Sequence, residues 1–160
     1  SHALGAEPQD AIEDGSELLC FPEDLDALLS FRVPKDPIYR LVASIDGVVL
    51  HRRDVVALCD PKDLTKKVYG ERGIVEIGGL TDLRSHPILD RGRIVGLWEY
   101  EPASESIVVA TFVKVAQSLR SEIERTAAFV RAELGDARSF GLDSPETRQP
   151  RIDALRSMGT

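Results

Sequence analysis

The residues of this chain best suited to chemistry are cations. Arg52-Arg53, Lys62, Lys66-Lys67, Arg91 and Arg93 offer donors and positive charge, which is all that contact with a phosphate requires. Arg91 and Arg93 occupy the turn Asp90-Arg91-Gly92-Arg93 between two apolar runs. There Gly92 can take positive φ without a Cβ clash, and Asp90 can accept a local backbone bond. Such side chains also simply keep turns and loops in water. Trp98 and Tyr100 could stack on bases as strand aromatics do, but a tryptophan in a small sheet reads first as core.

Catalytic constellations are scarce. No G-x-S-x-G elbow, P-loop or G-x-G-x-x-G occurs, and His2, His51 and His86 have no metal-ligand spacing. No metal or cofactor is implied. His86, before Pro87, reads as a strand-entry residue. Glu99 and Glu101 share a strand face, and paired carboxylates can cleave glycosidic bonds, yet acids at i, i+2 near a strand end read as a solvated edge. Cys20 and Cys59 lie beside aliphatic residues, in "LLCF" and "VALCD", and read as buried free thiols in a reducing, cytoplasmic setting.

The 160 residues, 42% hydrophobic and 29% charged, suit one globular domain with tails. No run of about 18 apolar residues is present, so no membrane span is expected. The net charge of −7 is unevenly placed. Residues 1–30 hold eight of the 27 acids and no Lys or Arg, and without them 19 acids face 20 basic residues. Residues 32–93 carry twelve basic side chains against nine acids, so the overall acidity does not exclude a polyanionic partner.

The elements that must position these groups follow from periodicity and punctuation. Residues 1–16 read as a flexible acidic arm and 17–160 as a single α+β domain. "ELLCF" suits a short strand, and Pro22 with Glu23, Asp24 and Asp26 opens a helix bearing Leu25, Leu28 and Leu29 on one stripe. "IYRLVASI" suits a strand or a helix, Asp46-Gly47 reads as a turn, and Asp54 as the N-cap of "VVAL". "PKDLTKKVYGERG" reads as a loop or short helix. From 74 to 113 the signal is strands, with "RIVGLWEYE" central and Ile94, Gly96, Trp98 and Tyr100 alternating onto one face. Residues 115–134 predict a long amphipathic helix striped by Leu119, Ile123, Ala127, Val130 and Leu134 and stopped at Gly135. The tail places Arg148, Arg151 and Arg156 around a short apolar helix with Ile152 and Leu155. The expected fold is α+β: a small antiparallel sheet or partial β-barrel flanked by helices, with a long C-terminal amphipathic helix.

"DGVVLHRRDVVALCDPKD" followed by "HPILDRGRIVGLWEYE" resembles the AlkZ-like family of winged-helix DNA glycosylases that unhook interstrand crosslinks. Arg52-Arg53-Asp54 match one family element. Asp90, Gly92, Arg93, Gly96 and Trp98 match a second, with Arg91 inserted, over roughly residues 36–113. The resemblance implies a bacterial DNA-repair protein whose other winged-helix domains lie N-terminal to this region, an expectation that the start "SHA", without methionine, shares. In that family a Gln-x-Asp or Gln-x-Gln motif serves the chemistry. Here Gln9, Gln117 and Gln149 are followed by Asp-Ala, Ser-Leu and Pro-Arg, so no catalytic residue carries over. The reading is a C-terminal region that binds duplex DNA through Arg52, Arg53, Lys66, Lys67, Arg91 and Arg93. The alternative is a non-catalytic protein-interaction or scaffold module.

Overall fold

A computed structural model describes residues 9–13, 16–51, 53–138 and 143–159. The chain divides into two compact units, 1–35 and 36–160. In the first, strands β1 (Gln9–Glu13) and β2 (Ser16–Cys20) pair antiparallel, with Gln9 opposite Cys20. Helix α1 (Pro22–Ser30) follows, opened by its proline and by Glu23 and Asp24 in the first turn. None of its residues is buried, and Leu28 and Leu29 stand exposed.

The second unit is built on a four-stranded antiparallel sheet ordered β3 (Tyr39–Leu41), β6 (His86–Asp90), β7 (Arg93–Glu101), β8 (Ser106–Thr111). The expected central strand is interior, and it is buried from Ile94 to Tyr100. Its alternation breaks at one point. Ile88 faces Gly96 but Leu89 faces Ile94, so Val95 is an extra residue, a bulge that reverses the faces beyond it. Ile94 therefore packs with Leu97, whereas Val95 joins Trp98 and Tyr100, so the single face expected for Ile94, Trp98 and Tyr100 is not formed. Trp98 is core, its indole Nε1 donating to the Val42 carbonyl at 3.1 Å. Gly96 lies where a Cβ would meet the Ala110 oxygen at 2.6 Å, so only glycine lets β8 approach.

Two apolar layers cover the sheet. One gathers Tyr39, Ile88, Val95, Trp98 and Tyr100 against Leu119 and Val130 of the helix at 117–134. That helix is α4 (Gln117–Phe129) continued by a π-helical turn (Val130–Leu134) and stopped at Gly135 with φ 69°. The wider turn shifts the phase of the stripe, which leaves Leu134 exposed rather than buried. The other layer packs Leu97 and Ile94 against α2 (Gly47–Leu50), α3 (Val55–Leu58), β4 (Lys67–Gly70), β5 (Gly73–Glu76) and α5 (Pro145–Met158). Asp54 caps α3 as expected, accepting from the Ala57 N–H at 3.0 Å. Asp46-Gly47 is a helix start rather than a plain turn, because the Asp46 carboxylate accepts from Val48 N–H. "PKDLTKKVYGERG" holds a 3₁₀ turn and then β4, paired with β5. The strand escapes a periodicity reading because it is only four residues long.

Helix α5 is longer than the tail suggested and begins at a capping box formed by Ser144 and Thr147. It is fixed by buried charge. Arg151 Nε lies 2.7 Å from Glu99 Oε1 and its Nη2 2.7 Å from Asp143 Oδ2. Arg148 donates to the Tyr100 carbonyl at 2.9 Å and grips Asp136 at 2.7 and 3.1 Å. Glu99 is thus fully buried against a guanidinium, and the solvated edge expected for it is overturned. Glu101 pairs with Arg156 at 2.7 Å near the surface.

His86, at the entry to β6 as expected, is buried beside Trp98. Its Nδ1 accepts from Ser44 N–H at 2.9 Å, and its ring lies 4.4 Å from that of Trp98. Its Nε2 has no partner of hydrogen-bond geometry among the described residues, although the Ala137 backbone lies near enough to favour the charged ring. Burial dominates and, with Arg151 and Arg148 adding repulsion, pushes His86 from 6.5 down to about 4.

Replacing Arg151 with alanine leaves Glu99 and Asp143 buried without their cation. It should destabilise the fold by about 3–5 kcal/mol in denaturant titration, whereas Arg156→Ala at the exposed pair should cost about 0.2–1 kcal/mol. The folded pKa of His86 is depressed, so the unfolded chain binds the proton first. Stability should therefore fall as pH drops below 6.5 and level off near 4, by about 3 kcal/mol for this group. Below that, Asp136, held at about 2 chiefly by Arg148, continues the loss. In His86→Gln, which keeps an acceptor for Ser44, the dependence between pH 6.5 and 4 should flatten.

Candidate nucleic-acid interface

The β6–β7 hairpin is built as the sequence suggests, and more firmly. Arg91 and Gly92 both take positive φ, at 49° and 85°, the backbone a two-residue hairpin loop demands. Gly92 does so freely, while Arg91 is a side-chain-bearing residue held there by its surroundings. Asp90 provides the hold. Its Oδ1 accepts from the Ile38 N–H at 2.9 Å and from Arg91 Nε at 3.0 Å, and its Oδ2 from Arg91 Nη2 at 2.9 Å. The Arg91 N–H in turn donates to the Ile38 carbonyl at 3.2 Å. The tip is thereby stitched to the chain entering β3, and the guanidinium has a defined orientation.

Arg93 leaves the tip in the other direction. Its Nη1 donates to the Cys59 carbonyl at 3.1 Å, beside the backbone bridge from Cys59 to Ile94. Cys59 is buried and free as expected, and Cys20 is free but only half-buried. Burial, with Asp63 adding to it, pushes the Cys59 thiol up to about 11, so it remains protonated at neutral pH.

Strand register brings the two lysines to this same end of the sheet. Thr111 is opposite Gly96, and Phe112 N–H donates to the Val95 carbonyl at 2.8 Å, so β8 finishes alongside the start of β7. Lys66 and Lys67 line a cleft of about 200 Å³ with Ala110, Thr111 and Phe112. Lys66 is exposed, and Lys67 pairs with Glu76 across the β4–β5 hairpin at 2.9 Å. Lys114 follows β8 out of the sheet at this end and is also exposed. Sequence reasoning passed over it, because its relation to the hairpin appears only once β7 and β8 are paired.

Arg53 is elsewhere. It has φ 47° and pairs with Asp82 at 2.7 Å, in a cleft of about 440 Å³ with Ser44, Val49, Leu83 and Arg84. That cleft borders the loop feeding the His86 end of β6, opposite the Asp90 end where the hairpin turns. Arg52 lies outside the described residues. Glu99 and Glu101, the carboxylates with a conceivable acid–base role, are engaged by Arg151 and Arg156. Among the described residues no His, Cys, Asp and Glu group is arranged to hold a metal ion, and no helix is long and apolar enough to cross a membrane.

The family model described as DNA glycosylase AlkZ-like matches residues 3–133. No curated protein matches the chain. Among solved structures, Streptomyces sahachiroi DNA glycosylase AlkZ is similar at 21% identity and a TM-score of 0.47, over 84% of this chain and 33% of that one. The chain thus spans about a third of the length of that solved relative. A family match over most of the sequence, including both the Arg-Arg-Asp element and the β6–β7 hairpin, settles the affiliation: this chain belongs to the AlkZ-like DNA glycosylase family.

Proposed function

We propose that this chain is a DNA-binding part of a DNA glycosylase-like repair protein, and that the hairpin end of its sheet rests on the phosphates of duplex DNA. The observation that carries this reading is that Arg91 and Arg93 stand at the same end of the sheet as the cleft lined by Lys66 and Lys67. A polyanion is attracted by summed charge, and the attraction is stronger when the cations cannot retreat. The family supplies the substrate class. Asp90 organises Arg91 through its Nε–Nη2 edge, so the tip enters a complex with little side-chain freedom left to lose.

The chemistry lies elsewhere in this reading. None of the three glutamines stands in a Gln-x-Asp or Gln-x-Gln context, so hydrolysis of the N-glycosidic bond falls to winged-helix domains of the same protein outside these residues. The present region positions the duplex. Arg53, and Arg52 beside it in sequence, are a separate candidate group that would touch a different stretch of backbone.

One observation favours a second reading. Arg53, Lys67 and Arg91 each already have a carboxylate partner within the chain, as they would in a protein-interaction or scaffold module whose charges serve folding and a protein surface. Salt dependence separates the two. Replacing both Arg91 and Arg93 with alanine should weaken binding equally for unrelated duplex sequences. It should also lower the slope of log affinity against log salt by about 1 per lost phosphate contact. Thermal melting of the variant checks that the hairpin persists. A wild-type slope in the variant rejects the hairpin as a phosphate contact, and absence of duplex binding by the wild-type chain favours the scaffold.

A further inference from the structure

The cleft beside β8 has a composition that charge alone does not explain. In the β7–β8 ladder, the Phe112 N–H donates to the Val95 carbonyl, which makes the next pair, Thr111 and Gly96, a non-hydrogen-bonded one. The N–H and C=O of Thr111 therefore point away from β7, and β8 is the edge of its sheet. An edge N–H is a fixed donor with no ladder partner. Thr111 lines one cleft together with Lys66 and Lys67. The Thr111 hydroxyl makes no hydrogen bond among the described residues, and Lys66 makes no ion pair among them. Lys67 shares its ammonium with Glu76 in a pair exposed on both sides, an arrangement that exchanges partners readily.

We propose that this cleft seats one phosphate group. Its lining residues Thr111, Lys66 and Lys67 carry an edge N–H, a hydroxyl and two ammonium groups, and Phe112 and Met158 form an apolar wall. Its volume of about 200 Å³ is several times the ~30 Å³ that a water molecule occupies in the liquid, so the space suits a tetrahedral oxyanion with an attached group. Four donors of three kinds match the several acceptor oxygens of a phosphodiester. The wall excludes water from one side, which strengthens the charge-assisted bonds, and it tolerates the carbon skeleton of a backbone sugar. This assignment rests on the duplex-binding reading and deepens it. A second phosphate contact beside the hairpin tip fixes the direction in which the nucleic-acid backbone runs along the end of the sheet.

The same phosphate chemistry comes from a duplex or from a free anion, and amide spectra distinguish them. A short duplex and inorganic phosphate are added separately to the ¹⁵N-labelled chain, with the amides of Thr111, Arg91 and Gly92 as reporters. The expected result is that duplex shifts all three at low salt, that inorganic phosphate shifts Thr111 alone, and only at far higher concentration, and that Lys66→Gln with Lys67→Gln abolishes the Thr111 response. That double variant should also bind duplex with a log–log salt slope lower by about 1. Thr111→Val, which keeps the N–H but loses the hydroxyl, should retain the response at reduced affinity. Duplex that shifts Arg91 and Gly92 but leaves Thr111 still overturns the seat while the duplex reading stands. Duplex that shifts none of the three overturns both. A Thr111 response to inorganic phosphate without one to duplex overturns the assignment to a nucleic-acid backbone.

Discussion

The second unit depends on a buried ionic assembly that joins helix α5 to the sheet. Arg148 and Arg151 project inward from successive turns of α5 and meet Glu99, Asp136 and Asp143, all but Asp136 nearly or fully shielded from solvent. Burying such groups carries a large desolvation penalty, offset only when nearly every donor and lone pair is used. The geometry comes close: Arg151 bridges two carboxylates, and Arg148 adds the Tyr100 carbonyl to its Asp136 clamp. The remaining defect is Arg148 Nε, which lies 3.5 Å from Asp143 Oδ2 without a hydrogen bond. An apolar contact between Ile152, Leu155 and the sheet would tolerate a slide of the helix. The ionic contact does not, because one residue of slippage rotates each guanidinium by about 100° away from its carboxylate. The network therefore fixes the register of α5, and the apolar layer then packs around it.

From that register follows the geometry of the opposite end. Glu99 is near the last residue of β7 and Arg93 is its first, six residues or about 20 Å apart along one strand. The anchor and the cationic rim are thus mechanically joined but chemically independent. Met158, near the end of α5, reaches the cleft at Lys66 and Lys67, so the helix that closes the core also walls the proposed phosphate seat. The bulge at Val95 does similar work on the hairpin side. By adding one residue to β7 it sends Val95 into the layer under α4 and Ile94 into the other, and Arg93 is turned toward the Cys59 carbonyl.

What sequence reasoning recovered follows from how local each signal is. The β6–β7 hairpin, the cap at Asp54, the stop at Gly135 and the helix after residue 115 are written within a few residues, and all are present. The fold class followed from them. Features that need two distant segments were not legible. Nothing near Glu99 announces that Arg151, 52 residues later, will neutralise it, so a solvated edge was the natural reading. Strand β4, four residues long and opened by a lysine, carries too little pattern to be told from a loop. Of the candidate cations, the hairpin pair was visible from turn chemistry. That this pair shares an end of the sheet with Lys66 and Lys67, while Arg53 lines a separate cleft, follows from pairing register and could not be read from spacing.

The ion pairs at the rim bear directly on what kind of contact the rim can make. Asp90 and Glu76 act as built-in counterions to Arg91 and Lys67, and they weaken the field that a distant polyanion feels. A phosphate that approaches Lys67 must compete with Glu76, whereas Asp90 remains needed for the turn itself, because it also holds Ile38. The two pairs are therefore not equivalent. The Glu76 pair is exposed on both sides and holds nothing else, whereas Asp90 is part of the scaffold that aims Arg91. Such a rim favours close, oriented contact over long-range capture, in keeping with the proposed role of holding a duplex.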